Sequence, residues 1–315
     1  MDSLILAINV VTPLFLLMTI GYILNRIKMV NENSLSVMNR LVFKLFLPTL
    51  MFYNVYRTDI KSAIQPGFIA FCVVAVLVMA LILIAVIPLL EKDNRKRGVI
   101  IQGIFRSNFV LFGVPVATAI LGENNLGITS VLIAIIVPMY NALAVVILEM
   151  YRGGNFTKEK IFTIIKGILT NPLVFSSVIG IAFLYFGVKM PKPIETTVSD
   201  IGRVATPLAL IVLGATFKFS RISGNLVPLI ITVAGKLIIT PLVIIGVAVK
   251  IGFDAAAIVT LISMTASPTA VSSYTMAEEM GSDGELAGQV VVLTTAVSVV
   301  TVFLFVVVLS YLGLI

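Results

Sequence analysis

Residues 99–121, VIIQGIFRSNFVLFGVPVATAIL, contain the feature that decides the fold. The stretch is long and apolar enough to cross a lipid bilayer as a helix, which takes about twenty residues. Within it, Asn108, Gly113 and Pro115 are spaced as N-x-x-x-x-G-x-P. Proline removes a backbone donor and clashes with the preceding turn, so we expect an interrupted helix. Backbone freed at membrane depth is tolerated only where protein or water covers it, which indicates a binding site.

A second stretch of this kind is TASPTAVSS, at residues 265–273. Ser267 followed by Pro268 is typical of a helix start, with the serine as N-cap and the proline at the first helical position. We therefore expect a half-helix to begin there, with free N–H groups around Thr269 and a positive dipole end that binds an anion. A simple proline kink is the alternative for either stretch alone, and the presence of two favours a site.

The composition places the whole chain in a membrane. Of its 315 residues, 59% are hydrophobic and 12% are charged, whereas a soluble domain has about 25% charged residues. The chain has no His, no Trp and a single Cys, which excludes an internal disulfide and argues against a metal site or Cys/His catalysis. We predict no metal, no cofactor and no enzymatic activity.

Ten apolar runs have the length of a membrane span, and we number them segments 1 to 10. They lie at residues 4–24, 35–56, 67–90, 99–121, 126–149, 161–187, 198–219, 226–249, 255–277 and 286–312. The fold class predicted from them is an all-α polytopic membrane protein with ten transmembrane helices, of which segments 4 and 9 are broken.

Lysines and arginines are concentrated in the loops after segments 1, 3, 5 and 7. These loops carry Arg26, Lys28, Lys92, Arg95, Lys96, Arg97, Arg152, Lys158, Lys160, Lys218 and Arg221. The other loops carry Arg57, Lys61, Lys189, Lys192 and Lys250. By the positive-inside rule the first set is cytoplasmic, so both termini lie outside the cell membrane. The net charge of +7 is thereby explained by topology, and no nucleic-acid partner is predicted.

An internal repeat appears at one fixed offset of 159 residues. It aligns Thr12-Pro13-Leu14 with Asn171-Pro172-Leu173, and Ile20-Gly21 with Ile179-Gly180. The same offset relates Lys44 to Arg203, Pro48 to Pro207 and Asn108 to Ser267. Each unit holds five segments, an odd number, so the second unit must be inverted in the membrane. The predicted repeats are residues 1–156 and 157–315; coincidence among similar apolar segments is the alternative.

Four cations lie within the apolar runs: Lys44, Arg106, Arg203 and Lys236. Lys44 and Arg203 lie where a side chain can reach the interface. Arg106 and Lys236 do not, and each is a functional candidate because an unpaired charge in the membrane is costly. Pairing with Glu149 or Asp200 is the alternative. No Asp or Glu adjoins either interruption, which argues against proton exchange and favours an anionic substrate.

The motif of segment 4, together with the Ser-Pro-Thr-Ala stretch that precedes Glu278 and Glu279, resembles the auxin efflux carrier family, which includes plant PIN carriers and bacterial malate/malonate permeases. The resemblance covers the whole chain. It matches Asn108 and Pro115 to the family's crossing-site Asn and Pro, and Pro268 to its second crossing Pro.

The resemblance implies a fold like that of bile-acid symporters and sodium/proton antiporters. Segments 1, 2, 6 and 7 would form a scaffold, while segments 3–5 and 8–10 form a transport domain that moves as an elevator. The resemblance also implies a homodimer.

The function predicted from these observations is secondary transport of a small organic anion, such as a dicarboxylate or an auxin-like acid. The candidate substrate-binding residues are Arg106, Asn108, Gly113, Pro115, Asn141, Lys236, Ser267, Pro268 and Thr269. A membrane sensor built on a transporter fold is the alternative from another class. Coupling to Na⁺ also stays open, because hydroxyls and amides (Ser107, Asn141, Ser263, Thr265, Thr269 and Ser272) could bind it with backbone carbonyls.

The charge pattern makes a testable prediction about topology. In a Cys72→Ala background, Asp2→Cys should react with an impermeant maleimide added to intact cells, and Asn94→Cys should react only after the membrane is opened. The opposite labelling pattern would show that the positive-inside argument fails for this chain.

Overall fold

A computed structural model describes residues 2–58, 65–152 and 158–315 of the chain. Every regular element in these ranges is a helix. The predicted boundary between the two repeats, at residues 156 and 157, lies outside the described residues. The α-helices are α1 Asp2–Arg26, α2 Glu32–Leu41, α3 Leu47–Tyr56, α4 Pro66–Leu90, α5 Asn94–Phe105, α6 Val114–Leu121, α7 Gly127–Tyr151, α8 Lys158–Thr170, α9 Pro172–Phe186, α10 Lys192–Thr216, α11 Leu226–Ala234, α12 Thr240–Ile251, α13 Ala255–Leu261, α14 Ser272–Glu279 and α15 Gly284–Tyr311.

Several of these helices are joined by single π-helical turns. The π-helical turns are Val42–Phe46, Phe109–Gly113, Gly235–Ile239 and Ile262–Ala266, and short 3₁₀ turns occupy Glu123–Asn125 and Phe219–Asn225. A π-helical turn inside an α-helix is rare and often marks a functional site. Two of them adjoin the interruptions that were predicted in segments 4 and 9.

Eight of the ten predicted segments are helices long and apolar enough to cross a membrane within the described ranges. This confirms an all-α, multi-pass membrane protein. Segment 6 is divided at Asn171, whose side chain caps α9 by accepting a hydrogen bond from the Leu173 N–H. Segment 9 is divided into α13 with its π-helical turn and the separate helix α14. The structure thus contains helical material in all ten segments, with two of them in shorter pieces.

One group of helices packs closely around α10. Helix α10 packs closely on α1, and it also contacts α3, which in turn contacts α9. The contact between α1 and α10 depends on two glycines, because a Cβ on Gly21 would lie 1.9 Å from the Ile211 carbonyl oxygen and one on Gly214 would lie 1.9 Å from the Met18 carbonyl oxygen. Small residues allow such backbone approach in membrane helices.

A second group of helices surrounds α5. Helix α5 contacts α4, α7, α11 and α15, and α14 lies against α15. Both interrupted segments belong to this group. The interruptions face the first group, since α14 contacts α10 and α6 contacts α1. The architecture therefore brings the two irregular stretches to the boundary between two groups of helices.

The close approach at Gly21 predicts a large effect of one methyl group. Gly21→Ala should lower the free energy of unfolding by about 1–3 kcal/mol, because α1 and α10 must separate to admit the Cβ. The matched control is Gly246→Ala in α12, where a Cβ meets nothing within 4 Å; there the gain in helix propensity, about 1 kcal/mol, should prevail. Thermal unfolding of the purified variants measures both. Equal melting temperatures for the two variants would contradict the packing described.

Candidate functional site

The interruption in segment 4 consists of three non-helical residues, 106–108. Helix α5 ends at Phe105, and Arg106 has extended backbone angles of φ −85° and ψ 132°. The helix resumes when the Asn108 carbonyl accepts hydrogen bonds from the N–H groups of Phe112 and Gly113, at 3.0 and 3.2 Å. The N–H groups of residues 109–111 therefore form the free N-terminal end of the second half-helix.

The interruption in segment 9 differs from the prediction. Ser267 does not cap a following helix, because its Oγ donates 2.5 Å backward to the Ser263 carbonyl and so closes the preceding half-helix. Residues 268–270 are not helical, and α14 begins only at Ser272. After Pro268, the first backbone N–H groups that donate to backbone carbonyls are those of Ser273 and Tyr274. The prediction that the half-helix starts at Pro268 was wrong; its free N-terminal end lies at residues 270–272.

The two interruptions are bonded to each other. The Asn108 N–H donates 2.8 Å to the Pro268 carbonyl, and the Ser107 Oγ donates 3.4 Å to the Ser267 carbonyl. Gly113 allows the close approach, because a Cβ there would lie 2.5 Å from the Ser263 carbonyl oxygen. Each irregular stretch thus satisfies backbone groups of the other away from water.

A cavity of about 50 Å³ lies beside this junction, between the two groups of helices. Its polar lining consists of Asn54, Arg106, Ser107, Asn108, Tyr140, Asn141, Thr206 and Ser272. Its walls include both free half-helix ends, at residues 109–111 and 270–272, and no lining residue is Asp or Glu. A second cavity of about 560 Å³, on the side of Arg57, shares Asn54 and Val110 with it.

Arg106 supplies the positive charge of the cavity. The residue is only 2% exposed, and its guanidinium donates to the Asn141 Oδ1, to the Ser272 Oγ at 2.8 Å and to the Met276 Sδ. All three acceptors are neutral. Arg106 has no carboxylate partner in the part of the chain that the structure describes.

The alternative in which Arg106 or Lys236 pairs with Glu149 or Asp200 is wrong. Glu149 pairs with Arg152 at 3.2 Å, and Asp200 pairs with Arg203 at 3.7 Å on an exposed face. Lys44 is exposed as well. Burial therefore separates Arg106 and Lys236 from the other two cations of the apolar runs, as their positions in the sequence indicated.

Two amide nitrogens at the cavity have no hydrogen-bond acceptor among the described residues. The Nδ2 atoms of Asn108 and Asn54 are buried, and neither donates to any described group. A buried donor without an acceptor costs about 1–3 kcal/mol. Asn108 contributes no side-chain bond to the interrupted backbone, so its amide is available to a ligand in the cavity.

Lys236 lies elsewhere. It is fully buried in the π-helical turn Gly235–Ile239, and its Nζ has no hydrogen-bond partner among the described residues. It does not line the cavity at the junction. The structure thus places the two buried cations in different environments.

Of the nine predicted site residues, three line the cavity: Arg106, Asn108 and Asn141. Gly113, Ser267 and Pro268 form the junction behind it, and Pro115 lies in the first turn of α6. Thr269 also supports the junction, because its Oγ1 donates 2.7 Å to the Gly103 carbonyl.

Sequence reasoning did not include Asn54, Thr206 and Ser272 among the substrate-binding residues. In the sequence, Asn54 could have been found as an amide side chain that lies within an apolar run.

The hydroxyls considered for Na⁺ are largely engaged by backbone. Thr265 donates 2.7 Å to the Leu261 carbonyl, and Thr269 donates to Gly103 as described. The Ser263 Oγ is buried and has no hydrogen-bond partner in the described part of the chain. These groups mainly satisfy the carbonyls of the interrupted helices, which is a structural role.

Comparison with known proteins identifies relatives over nearly the whole chain. A family model described as "Membrane transport protein" matches residues 6–306. A protein of Rhizobium meliloti (strain 1021) named "Putative malonate transporter" is 25% identical over 303 residues, which cover 93% of each chain. A protein of Methanothermobacter thermautotrophicus named "Uncharacterized transporter" is 23% identical over 301 residues, covering 95% of this chain and 97% of its own.

Proposed function

Because the chain belongs to the membrane transport protein family, the auxin efflux carrier family that its sequence resembles, we propose that it is a secondary carrier of a small organic anion and not an enzyme. The single observation that supports this most is the charge of the cavity at the junction. A buried arginine without a carboxylate partner and two half-helix N-terminal ends face the same space. Together they attract a carboxylate.

The proposed substrate is a small carboxylate, with malonate as the first candidate. One relative carries malonate in its name. One carboxylate would accept from Arg106 and from the N–H groups of residues 270–272, and from the amide of Asn108. The second carboxylate of a dicarboxylate would lie toward Asn54 and the N–H groups of residues 109–111. Arg106 presents a planar fork of donors that fits a carboxylate better than an ammonium does.

The small size of the cavity supports a moving carrier. About 50 Å³ is room for a few water molecules, each of which needs about 10–15 Å³ of cavity, and a dicarboxylate needs more. The cavity lies between the two helix groups, so it widens when one group shifts against the other. We propose that the group around α10 is the scaffold of segments 1, 2, 6 and 7. The group around α5 is then the transport domain of segments 3–5 and 8–10, which moves as an elevator.

The packing also supports ten spans in two inverted repeats. Helix α1 of the first unit packs on α10 of the second, and α9 of the second unit packs on α3 of the first. Gly21 and Gly180, which are related by the offset of 159, both lie at these contacts: a Cβ on Gly180 would lie 3.0 Å from the Phe52 carbonyl oxygen. Reciprocal contacts of this kind are expected of a pseudo-twofold axis in the membrane plane.

In the proposed orientation, within the cell membrane, both termini lie outside. The larger cavity near Arg57 then opens toward the outside and leads to the site through Asn54 and Val110. A substrate would reach the junction from that side in the conformation described.

The unpartnered amide of Asn108 makes a testable prediction. Asn108→Ala should weaken malonate binding about tenfold to a hundredfold, since a hydrogen bond to a charged group contributes about 1.5–3 kcal/mol. Asn108→Asp should abolish it, because a negative charge replaces the donors. Asn31→Asp is the matched control. Asn31 is the N-cap of α2, and Asp serves equally well as an N-cap. Isothermal calorimetry gives the affinity, and the melting temperature of the same samples reports the fold.

The alternative role of Asn108 is purely structural. It predicts lower melting temperatures for both Asn108 variants with unchanged affinity in the folded protein. Normal malonate affinity in folded Asn108→Asp would remove this residue from the site.

The Arg106 guanidinium makes a second prediction. Arg106→Met should abolish malonate binding, and Arg106→Lys should retain a weaker affinity, because lysine keeps the charge but loses the bidentate fork. Isothermal calorimetry should show malonate affinity falling in the order wild type, Arg106→Lys, Arg106→Met. If the two variants bind malonate equally well, the charge of Arg106 has no part in recognition.

A further inference from the structure

Lys236 is the second buried cation, and the proposed anion site does not use it. Its side chain is 0% exposed and its Nζ has no hydrogen-bond partner in the described ranges. A charged group in this position is costly unless the surroundings carry a compensating negative potential. The three ion pairs of the described residues do not include it. Backbone carbonyls are another source of such potential.

The π-helical turn that carries Lys236 packs against the ends of two half-helices. It contacts α5 and the π-helical turn Ile262–Ala266, which precede the interruptions of segments 4 and 9. A Cβ on Gly235 would lie 2.9 Å from the Ile104 Cδ1, so the turn lies against the last turn of α5. Lys236 is thus located beside the C-terminal ends of the two half-helices that precede the interruptions, whereas the cavity is lined by the N-terminal ends of the half-helices that follow them.

The C-terminal ends of these half-helices carry negative potential. The last carbonyls of a helix have no intrahelical donor, and the peptide dipoles leave about half a negative charge there. Pro268 follows the second end and has no N–H to offer the carbonyls of the preceding turn. The two ends lie against the same π-helical turn, and together they favour a cation there.

We propose that the Lys236 ammonium is a resident cation that neutralises both half-helix C-terminal ends, in the place that a coupling Na⁺ would otherwise occupy. Lys236 is then a positioning residue: it keeps the junction intact and leaves the anion site to Arg106. The carrier consequently binds its anion without Na⁺, a step that rests on the proposed function.

The test compares purified protein in NaCl with protein in choline chloride of equal ionic strength. Wild-type melting temperature and malonate affinity should be the same in both salts, within about twofold for the dissociation constant. Lys236→Gln should lose at least tenfold in malonate affinity and several degrees in melting temperature in choline chloride. Both losses should be partly restored in NaCl, because the neutral variant exposes a cation site. Lys250→Gln, at the exposed end of α12, is the matched control and should respond to neither salt.

A merely structural lysine would give equal losses for Lys236→Gln in the two salts, and that result would overturn the proposal. A requirement of the wild type for Na⁺, in melting temperature or in malonate affinity, would overturn the proposal as well. If Lys236→Gln does not fold, the comparison of the wild type in the two salts decides alone. If the wild type binds malonate in neither salt, the proposed substrate fails. The ligand-free melting temperatures of Lys236→Gln in the two salts then still decide the role of Lys236.

Discussion

Backbone that leaves a helix at membrane depth has to find hydrogen-bond partners there, and each interrupted segment of this protein finds them in the other. The bond from the Asn108 N–H to the Pro268 carbonyl joins two stretches that are 160 residues apart in the chain. Thr269 and Ser267 satisfy further carbonyls on both sides. Neither interruption would be stable alone, since each unsatisfied group costs several kcal/mol in hydrocarbon. The position of α5, α6, α13 and α14 follows from this mutual dependence.

The junction also separates charge. Half-helix N-terminal ends meet the cavity with Arg106, and half-helix C-terminal ends meet Lys236 on the other side. Helix dipoles are fixed by the backbone, so in the proposed mechanism an anion-attracting region and a cation-attracting region arise although no described carboxylate pairs with Arg106 or Lys236. Two cations that look alike in the sequence would then have different roles because the peptide groups around them point in different directions.

Much of this arrangement could be predicted from the sequence because its causes are local. Long apolar runs form spans by length alone, and Pro268 directly follows a half-helix end. Pro115 marks its segment but not the break, which lies at residues 106–108 while the proline belongs to the first turn of α6. The start of α14 could not be predicted, since the Ser267 hydroxyl can bond forward as a cap or backward to Ser263, and tertiary contacts decide between them. The separation of Lys236 from Arg106, and the arrival of Asn54 at the cavity, depend on how distant helices pack. No local pattern contains that information.

The lack of a carboxylate partner for Arg106 has a kinetic consequence for a carrier that moves its site across the membrane. An empty site travels with an uncompensated guanidinium, and its passage through a region of low polarity is opposed by the cost of desolvating that charge. In the proposed mechanism a loaded site travels with the guanidinium paired to one carboxylate, and the backbone N–H groups of a half-helix end hold the second carboxylate of a dicarboxylate. In the proposed mechanism the site therefore returns faster when it carries an anion than when it is empty. Such a carrier exchanges one anion for another across the membrane more readily than it releases an anion and returns empty.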